Sequence, residues 1–315
     1  MSTSDDPTRL LTHLLTAPID AAPVESVDLW WQRHQRLRSD WPATIDLAIA
    51  GGLAADRVAW AFCTAYQAAL RQLVPSLPAD VIAALCATEE TGNSPKAIRT
   101  ALKAGTDGGW QLSGHKKWTT LGPASARLLV VARRDDADSP RPVLAVVAVA
   151  GSAAGVTLKP MPPTRFVPEA PHAQVQLADV AVGDADILPG DGYERYLKPF
   201  RTIEDIHVQA GVVAYLLREA RLRDWPQAFV EQALAALLAL RALGAAEPLA
   251  AATHIALAGA LQQTAALFDA AERCWADDAG PPLPHERWQR DRSLVSVAGT
   301  VRALRRERAW ERLRG

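Results

Sequence analysis

Apolar residues in the first part of the chain recur every three or four positions, the spacing that places them on one face of a helix. Up to about Pro75 the residues are mostly alanine, leucine, arginine and tryptophan. The recurring apolar positions include Leu10, Leu11, Leu14, Leu15, Trp60, Tyr66, Leu70 and Leu73. This pattern predicts a helical N-terminal region.

The pattern changes at Val81 and stays different until about Leu188. Short β-branched or alternating runs replace the helical spacing, and clusters of glycine, proline and aspartate separate them. The runs read VIAALCA, GWQLSG, RLLVVARR, VLAVVAVAG and AQVQLADVAV. This segment is predicted to be a β-domain.

After ILPGDGY the chain is again rich in alanine, leucine and arginine. Breakers near residues 224–226, 244–248 and 280–284 divide it into about four helical blocks, which predicts a four-helix bundle. The order of helices, strands and helices is typical of an α+β protein and not of a doubly wound sheet. We therefore expect a mostly α-helical α+β fold with helices in residues 1–80, a β-barrel-like domain in 81–190 and a helical bundle in 191–315.

Composition narrows the function classes. The formal net charge is −1 and 49% of the residues are hydrophobic, which argues against a disordered chain and against nucleic acid as a partner. The start MSTSDDPTRL does not resemble a secretory signal, and no apolar run has membrane-spanning length, so we expect a soluble cytoplasmic protein. Cys63, Cys86 and Cys274 form no CxxC motif, and the histidines lack ligand spacing. These residues predict reduced thiols and no metal site.

Two motifs carry a family resemblance. Residues 86–122 read CATEETGNSPKAIRTALKAGTDGGWQLSGHKKWTTLG, and VQLADVAVGDADILPGDG follows from residue 175. The first resembles the TEP-x-x-GSD and NGxKxWITNG pair of the acyl-CoA dehydrogenase family, and the second resembles the exit from the β-domain in that family. ERWQRDRSLVSVAGTVRALRRERA is more loosely similar to its last helices. The N-terminal helical domain looks reduced.

The resemblance implies an FAD site on the β-domain. By position, Thr88 matches the threonine that contacts the flavin, and Ser94 matches the serine near the pyrophosphate. Trp118 matches the tryptophan that packs on the ring, and Thr120 matches the hydroxyl near N5. Donors at N5 favour the negative charge that arrives with a hydride.

The catalytic base of the family needs a separate search. Most members carry a glutamate between the last helices, where this chain has Ala298 and Gly299. Others carry it on the first helix of the bundle, seven residues before a glycine, and Glu204 stands seven residues before Gly211. Glu204 is therefore the candidate base. The alternative is a solvated charge beside Asp205 at a helix N-terminus.

The segments that hold the ADP half of the cofactor in the family, R-x-x-FG and QxxGGxG, have no counterpart here. We therefore expect FAD to be held weakly or lost. The resemblance implies Cα–Cβ desaturation of acyl-CoA or a related thioester by a homo-oligomer, with electrons passing to an electron-transfer flavoprotein. The alternatives are a degenerate, non-catalytic paralogue that serves as a binding or scaffold subunit, and a flavoprotein that uses oxygen.

Overall fold

The N-terminal region is helical, as its spacing predicts. The computed structural model describes residues 6–105, 108–135 and 142–314. The first helices are α1 (Pro7–Thr16), α2 (Val27–Asp40), α3 (Thr44–Ala54) and α4 (Val58–Leu73). Side-chain caps define two of the helix starts, because Asp6 accepts from the Thr8 N–H and Ser26 accepts from the Leu29 N–H.

The predicted β-segment forms one mixed sheet. Its described strands are β1 (Ala83–Cys86), β2 (Ala101–Ala104), β3 (Trp110–Thr120), β4 (Arg127–Arg134), β5 (Leu144–Ala150), β6 (Val156–Pro160) and β7 (His172–Val182). The order is β1-β4-β2-β3-β7-β6, and β5 pairs with β4. The inward residues of the alternating runs, among them Leu112, Val130, Val147 and Val175, build its hydrophobic core. Strands β2 and β6 were not among the predicted runs.

The C-terminal helices are α5 (Lys198–Leu222), α6 (Gln227–Gly244), α7 (Ala251–Ala276), α8 (Leu283–Asp291) and α9 (Gly299–Arg314). They match the predicted blocks, except that the last block is two helices. Residues Arg292–Ser296 form a 3₁₀ segment between them. Serine and valine there and Gly299 are poor helix formers, and the buried Asp291 carboxylate accepts from the Val167 N–H at 2.7 Å.

The chain divides into two units. The helical unit comprises the chain through Gln72, the short segment Thr164–Glu169 and the chain from Thr202 onwards. The β unit comprises Leu73–Pro163 and Ala170–Arg201. None of the described helices combines the length and apolar character that crossing a bilayer requires.

Candidate functional site

A β-bulge presents Trp118. Lys116 pairs with Val175 of β7 and Thr119 pairs with Ala173, so two residues of β3 stand opposite one residue of β7. Trp118 has φ of 59°, which is rare for an aromatic residue, and its side chain is 47% exposed. Strained backbone is concentrated at functional sites, so a strained residue that exposes a large aromatic ring is a candidate for binding and not for core packing.

The three other residues of the predicted flavin face lie in the same unit. The Lys117 N–H beside Trp118 donates to the Thr88 carbonyl at 2.8 Å, so the loop after β1 and the bulge of β3 are joined directly. Thr120, two residues after Trp118, has its hydroxyl 3.3 Å from His172 Nε2. Burial lowers the pKa of His172, which keeps this ring neutral. Ser94 is exposed on the loop that leads to β2.

A buried ion pair holds this face together. Lys116 Nζ lies 2.7 Å from Glu89 Oε1, and the lysine is only 2% exposed. The Glu89 carboxylate also accepts from the Arg99 N–H, the Thr100 N–H and the Thr100 hydroxyl, at 2.7, 3.0 and 2.8 Å. Glu89 thus ties the Thr88 loop, the entry to β2 and the strand that carries Trp118 to one point.

The two partners of this pair respond differently to burial. Burial raises the pKa of Glu89, but the hydrogen bonds from Lys116 and Thr100 outweigh it, so the pKa lies below its usual value. Burial lowers the pKa of Lys116 although Glu89 opposes the shift. On the lysine, the cost of desolvation is therefore larger than the attraction to Glu89, as is common for buried ion pairs.

Sequence reasoning gave roles to the threonines and the tryptophan but missed this pair. A signal was present in the motifs, because Glu89 and Glu90 precede Lys116 and Lys117 by the same 27 positions. The structure realises both pairs, with Lys117 Nζ 2.9 Å from Glu90 at the surface.

The candidate base Glu204 lies in the first turns of α5. Its side chain keeps some exposure, but the protein packed around it and the charge of Asp205 raise the pKa of Glu204 to about 8, against the lowering effect of Arg302. No described residue donates a hydrogen bond to its carboxylate. A freely solvated charge would not show this shift, so the environment suits proton transfer near neutral pH.

Asp205 has a different environment. Its carboxylate accepts from Arg302 Nη2 at 2.7 Å and from Arg305, and both arginines belong to α9. Successive helical residues point about 100° apart, so Glu204 and Asp205 face different surroundings. The double arginine contact occupies Asp205 and fixes α9 against α5.

The usual position of the base offers no acid. Ala298 lies just before α9 and Gly299 is the first residue of this helix, and a Cβ built on Gly299 would meet no atom within 4 Å. On α6, Arg241 donates to the buried Asp46 at 2.7 Å, and Gln232 is exposed.

Close backbone packing sets the position of α5. A Cβ added to Gly52 of α3 would lie 2.1 Å from the Gly211 carbonyl oxygen of α5 and 2.9 Å from the Ala214 Cβ. Only glycine permits this approach. The helix that carries Glu204 is therefore held by a direct contact between two helix backbones.

The remaining predicted features have simple outcomes. The three cysteines are free thiols, with Cys63 and Cys86 buried, and burial raises the pKa of Cys86 to about 12. In residues 6–105, 108–135 and 142–314, no group of three or more histidine, cysteine, aspartate or glutamate residues could hold a metal ion.

Comparisons with known proteins show which family model and which solved structures this chain resembles. Residues 84–180 match the family model of the acyl-CoA dehydrogenase middle domain. No curated protein matches the chain. Among solved structures, butyryl-CoA dehydrogenase from Megasphaera elsdenii is 14% identical with a TM-score of 0.71, and the match covers 98% of each chain.

Two further structures extend the comparison. The prolyl acyl carrier protein oxidase AnaB is 14% identical with a TM-score of 0.67, over 98% of this chain and 97% of AnaB. The FAD complex of PigA is 12% identical with a TM-score of 0.67, over 98% of this chain and 94% of PigA. The predicted resemblance is confirmed: the chain has the acyl-CoA dehydrogenase fold, and its residues 84–180 match the acyl-CoA dehydrogenase middle domain.

Proposed function

We propose that the protein is an FAD-dependent oxidoreductase of the acyl-CoA dehydrogenase type, which desaturates an acyl thioester between Cα and Cβ. The observation that carries the proposal is Glu204, a carboxylate that receives no hydrogen bond from the described residues and whose pKa burial raises to about 8. It stands on a fold whose solved relatives include a butyryl-CoA dehydrogenase. Desaturation of a thioester needs such a base for the Cα proton.

The residues of the β unit fit the ring half of FAD. Trp118 offers an exposed aromatic surface for stacking, and the hydroxyls of Thr88 and Thr120 supply donors beside it. FAD, when bound, supplies the acceptor for the hydride that leaves Cβ. Among the described residues, neither the Thr88 hydroxyl nor the Ser94 hydroxyl makes a hydrogen bond, so both hydroxyls are available to a ligand.

Glu204 removes the Cα proton in this proposal. A base with a pKa near 8 is partly ionised at neutral pH and still strong enough to take a proton from a carbon next to a thioester carbonyl. Asp205 does not compete for this role, because the two arginines of α9 hold its carboxylate.

The substrate class is an acyl thioester, either acyl-CoA or an acyl group on a carrier protein. The fold relatives support both, since one is a butyryl-CoA dehydrogenase and another is a prolyl acyl carrier protein oxidase. We expect a homo-oligomer. Electrons leave through an electron-transfer flavoprotein, or through oxygen if the protein works as an oxidase.

FAD is held more weakly than is usual for the fold in this proposal. The segments that would bind the pyrophosphate and adenosine are missing from the sequence. Each lost hydrogen bond to a charged oxygen costs about 1.5–3 kcal/mol, so the loss of two weakens binding by roughly a hundredfold or more.

The second candidate is a non-catalytic paralogue that binds a thioester without converting it. Ala298 and Gly299 favour it, because they fill the place where most relatives carry the base. The two candidate functions make different predictions for one residue, because only the enzyme depends on Glu204.

The test starts with calorimetric titration of the protein with FAD, comparing the wild type with Trp118→Ala. A flavin-loaded protein is then mixed with acyl-CoA esters and acyl carrier protein esters while flavin absorbance is followed. Glu204→Gln keeps the shape and removes the base, and Glu231→Gln, an exposed residue of α6, is the control. We expect FAD binding that Trp118→Ala weakens, and bleaching that only Glu204→Gln abolishes.

Two results would reject the proposal. If the wild type binds no flavin at millimolar concentration, the oxidoreductase assignment is wrong. If flavin binds but no thioester bleaches it, the non-catalytic candidate is preferred. Bleaching that survives in Glu204→Gln would keep the activity and reject Glu204 as the base.

A further inference from the structure

The loop between β1 and β2 is fixed at both ends. The Glu89 N–H donates to the Gly92 carbonyl at 2.9 Å, and the Gly92 N–H donates to the Glu89 carbonyl at 3.0 Å. The Glu89 carboxylate accepts from the Arg99 N–H at 2.7 Å, where the loop ends. We call residues 91–99 the serine loop, after Ser94. Because Glu89 holds both of its ends, this loop presents its side chains from a defined position.

The serine loop carries positive charge and no acidic residue. It reads TGNSPKAIR, and its two charged residues, Lys96 and Arg99, are both exposed. Among the described residues, no carboxylate lies within ion-pair distance of either side chain. A short loop with two cations and no counter-charge attracts anions.

Arg201 adds a third cation beside this loop. It lies in the first turn of α5 but belongs to the β unit, and its Nη2 donates to Asn93 Oδ1 at 3.3 Å. In the part of the chain that the structure describes, no carboxylate pairs with this guanidinium. A guanidinium has five N–H donors, so most of them are left for another acceptor. Because Asn93 directly precedes Ser94, the contact brings these donors to the part of the loop that carries the free Ser94 hydroxyl.

The other arginines of α5 are used in a different way. Arg218 pairs with Glu219, and Arg221 donates to two backbone carbonyls, at 2.9 and 2.8 Å. These contacts tie the helix to its surroundings. Arg201 instead makes one long contact to a neutral amide, which leaves its planar fork open to an anion with two oxygens.

We propose that Arg201 and Ser94 form a subsite for a phosphate ester, in which Asn93 orients the guanidinium. The guanidinium donates to two phosphate oxygens, and the Ser94 hydroxyl donates to one of them. Lys96 and Arg99 add attraction at longer range. The family resemblance assigns Ser94 but not Arg201, so the arginine is a charged anchor of this chain's own.

The phosphate belongs to one of two ligands, FAD or the phosphopantetheine arm of the thioester. The inference therefore rests on the proposed function. It also explains how a chain without the R-x-x-FG and QxxGGxG segments keeps one strong contact to a phosphate.

The test compares ligands that differ only in the phosphate. The flavin-free protein is titrated calorimetrically at low salt with FMN and riboflavin, and with phosphopantetheine and pantetheine. We expect Arg201→Gln to weaken one phosphorylated ligand about tenfold or more, because charge-assisted hydrogen bonds are lost, and to leave its phosphate-free partner unchanged. The pair of ligands that shows this difference identifies the source of the phosphate. Unchanged binding of the phosphate-free partner shows that the variant is folded.

Three further variants test the parts of the subsite. Arg195→Gln is the matched control, since Arg195 is also an exposed arginine of the β unit but its side chain lies against Gly190, and it should change no affinity. Ser94→Ala should weaken the same phosphorylated ligand about threefold to fivefold. Asn93→Ala should weaken that ligand in the wild type but not further in Arg201→Gln, because it acts through the arginine. Additive losses would show a merely structural role for Asn93.

Inorganic pyrophosphate, which has neither ring nor arm, separates this subsite from the proposed function, and phosphorus NMR detects its binding. If riboflavin does not bind but pyrophosphate binds and Arg201→Gln abolishes that binding, the flavin assignment fails and the subsite stands. If riboflavin binds and Arg201→Gln changes the affinity of no phosphorylated ligand, the subsite is rejected and the flavin assignment stands. Equal losses in Arg201→Gln and Arg195→Gln, or no binding of any phosphate-bearing ligand at millimolar concentration, also reject the subsite.

Discussion

Replacing Lys116 by methionine is the sharpest test of how the proposed flavin face is built. Methionine keeps the length of the side chain and removes the charge, so Glu89, which is 7% exposed, loses its counter-charge and keeps only its hydrogen bonds from Arg99 and Thr100. Breaking a buried pair from one side costs about 3–5 kcal/mol, because the remaining charge has lost its water and its partner. We expect Lys116→Met to lose that much free energy of unfolding.

The neighbouring pair is a built-in control. Lys117 also meets a glutamate 27 positions earlier, but Glu90 lies at the surface. Exposed pairs contribute at most about 1 kcal/mol, so Lys117→Met is expected to be nearly neutral. The double variant Glu89→Gln with Lys116→Met removes both buried charges and should recover most of the loss. Urea unfolding gives the free energies, and hydrogen exchange across residues 88–121 localises the loss to the β unit.

The pH dependence has a defined sign. The pKa of Glu89 lies below its unfolded value, so this carboxylate stabilises the fold above the unfolded pKa of about 4.3 and loses that effect as the pH falls through its folded pKa. The gap between wild type and Lys116→Met should therefore be widest near neutral pH and narrow in acid. If Lys116→Met and Lys117→Met lose the same free energy of unfolding at neutral pH, the stabilising role of the Glu89–Lys116 pair is refuted.

Three further outcomes are expected. Glu204→Gln should raise the melting temperature at pH 7 but not at pH 4, because a folded pKa of about 8 causes a loss of stability that grows as the pH rises from the unfolded pKa to 8; an unchanged melting temperature would contradict the raised pKa. Asp205→Asn should speed hydrogen exchange in the backbone of α9, because Arg302 and Arg305 lose their ion pairs to α5; unaltered exchange would show that these ion pairs do not fix α9. Gly52→Ala should destabilise by about 1–3 kcal/mol through the clash with Gly211, whereas Gly259→Ala, in open space on α7, should stabilise slightly by thermal unfolding; equal effects would contradict the close helix contact.

Much of the fold was predictable because its signals are local. Hydrophobic spacing located the helices and five of the strands, and two motifs indicated the family of the β-domain. Strands β2 and β6 escaped because they are only four and five residues long, so their pattern is too short to stand out from the surrounding loops. The break between α8 and α9 escaped because no proline marks it, and Asp291 meets its partner Val167 only in the folded chain.

The site was predictable to a smaller extent. Motif position placed Thr88, Trp118 and Thr120 on one unit, but the bulge that exposes Trp118 depends on how β3 registers with β7. Register is a property of two strands, so the sequence of β3 alone does not contain it.

Two charged clusters hold the segments that carry the candidate functional residues. Glu89 with Lys116 and Asp205 with the arginines of α9 each sit next to a candidate functional residue, Thr88 in one case and Glu204 in the other. Each cluster joins segments far apart in sequence, by 27 and 97 positions. Because a half-broken buried cluster is costly, both partners must be kept together. Loss of the ADP-binding segments would therefore leave the proposed ring face and the proposed base in place, since neither depends on those segments.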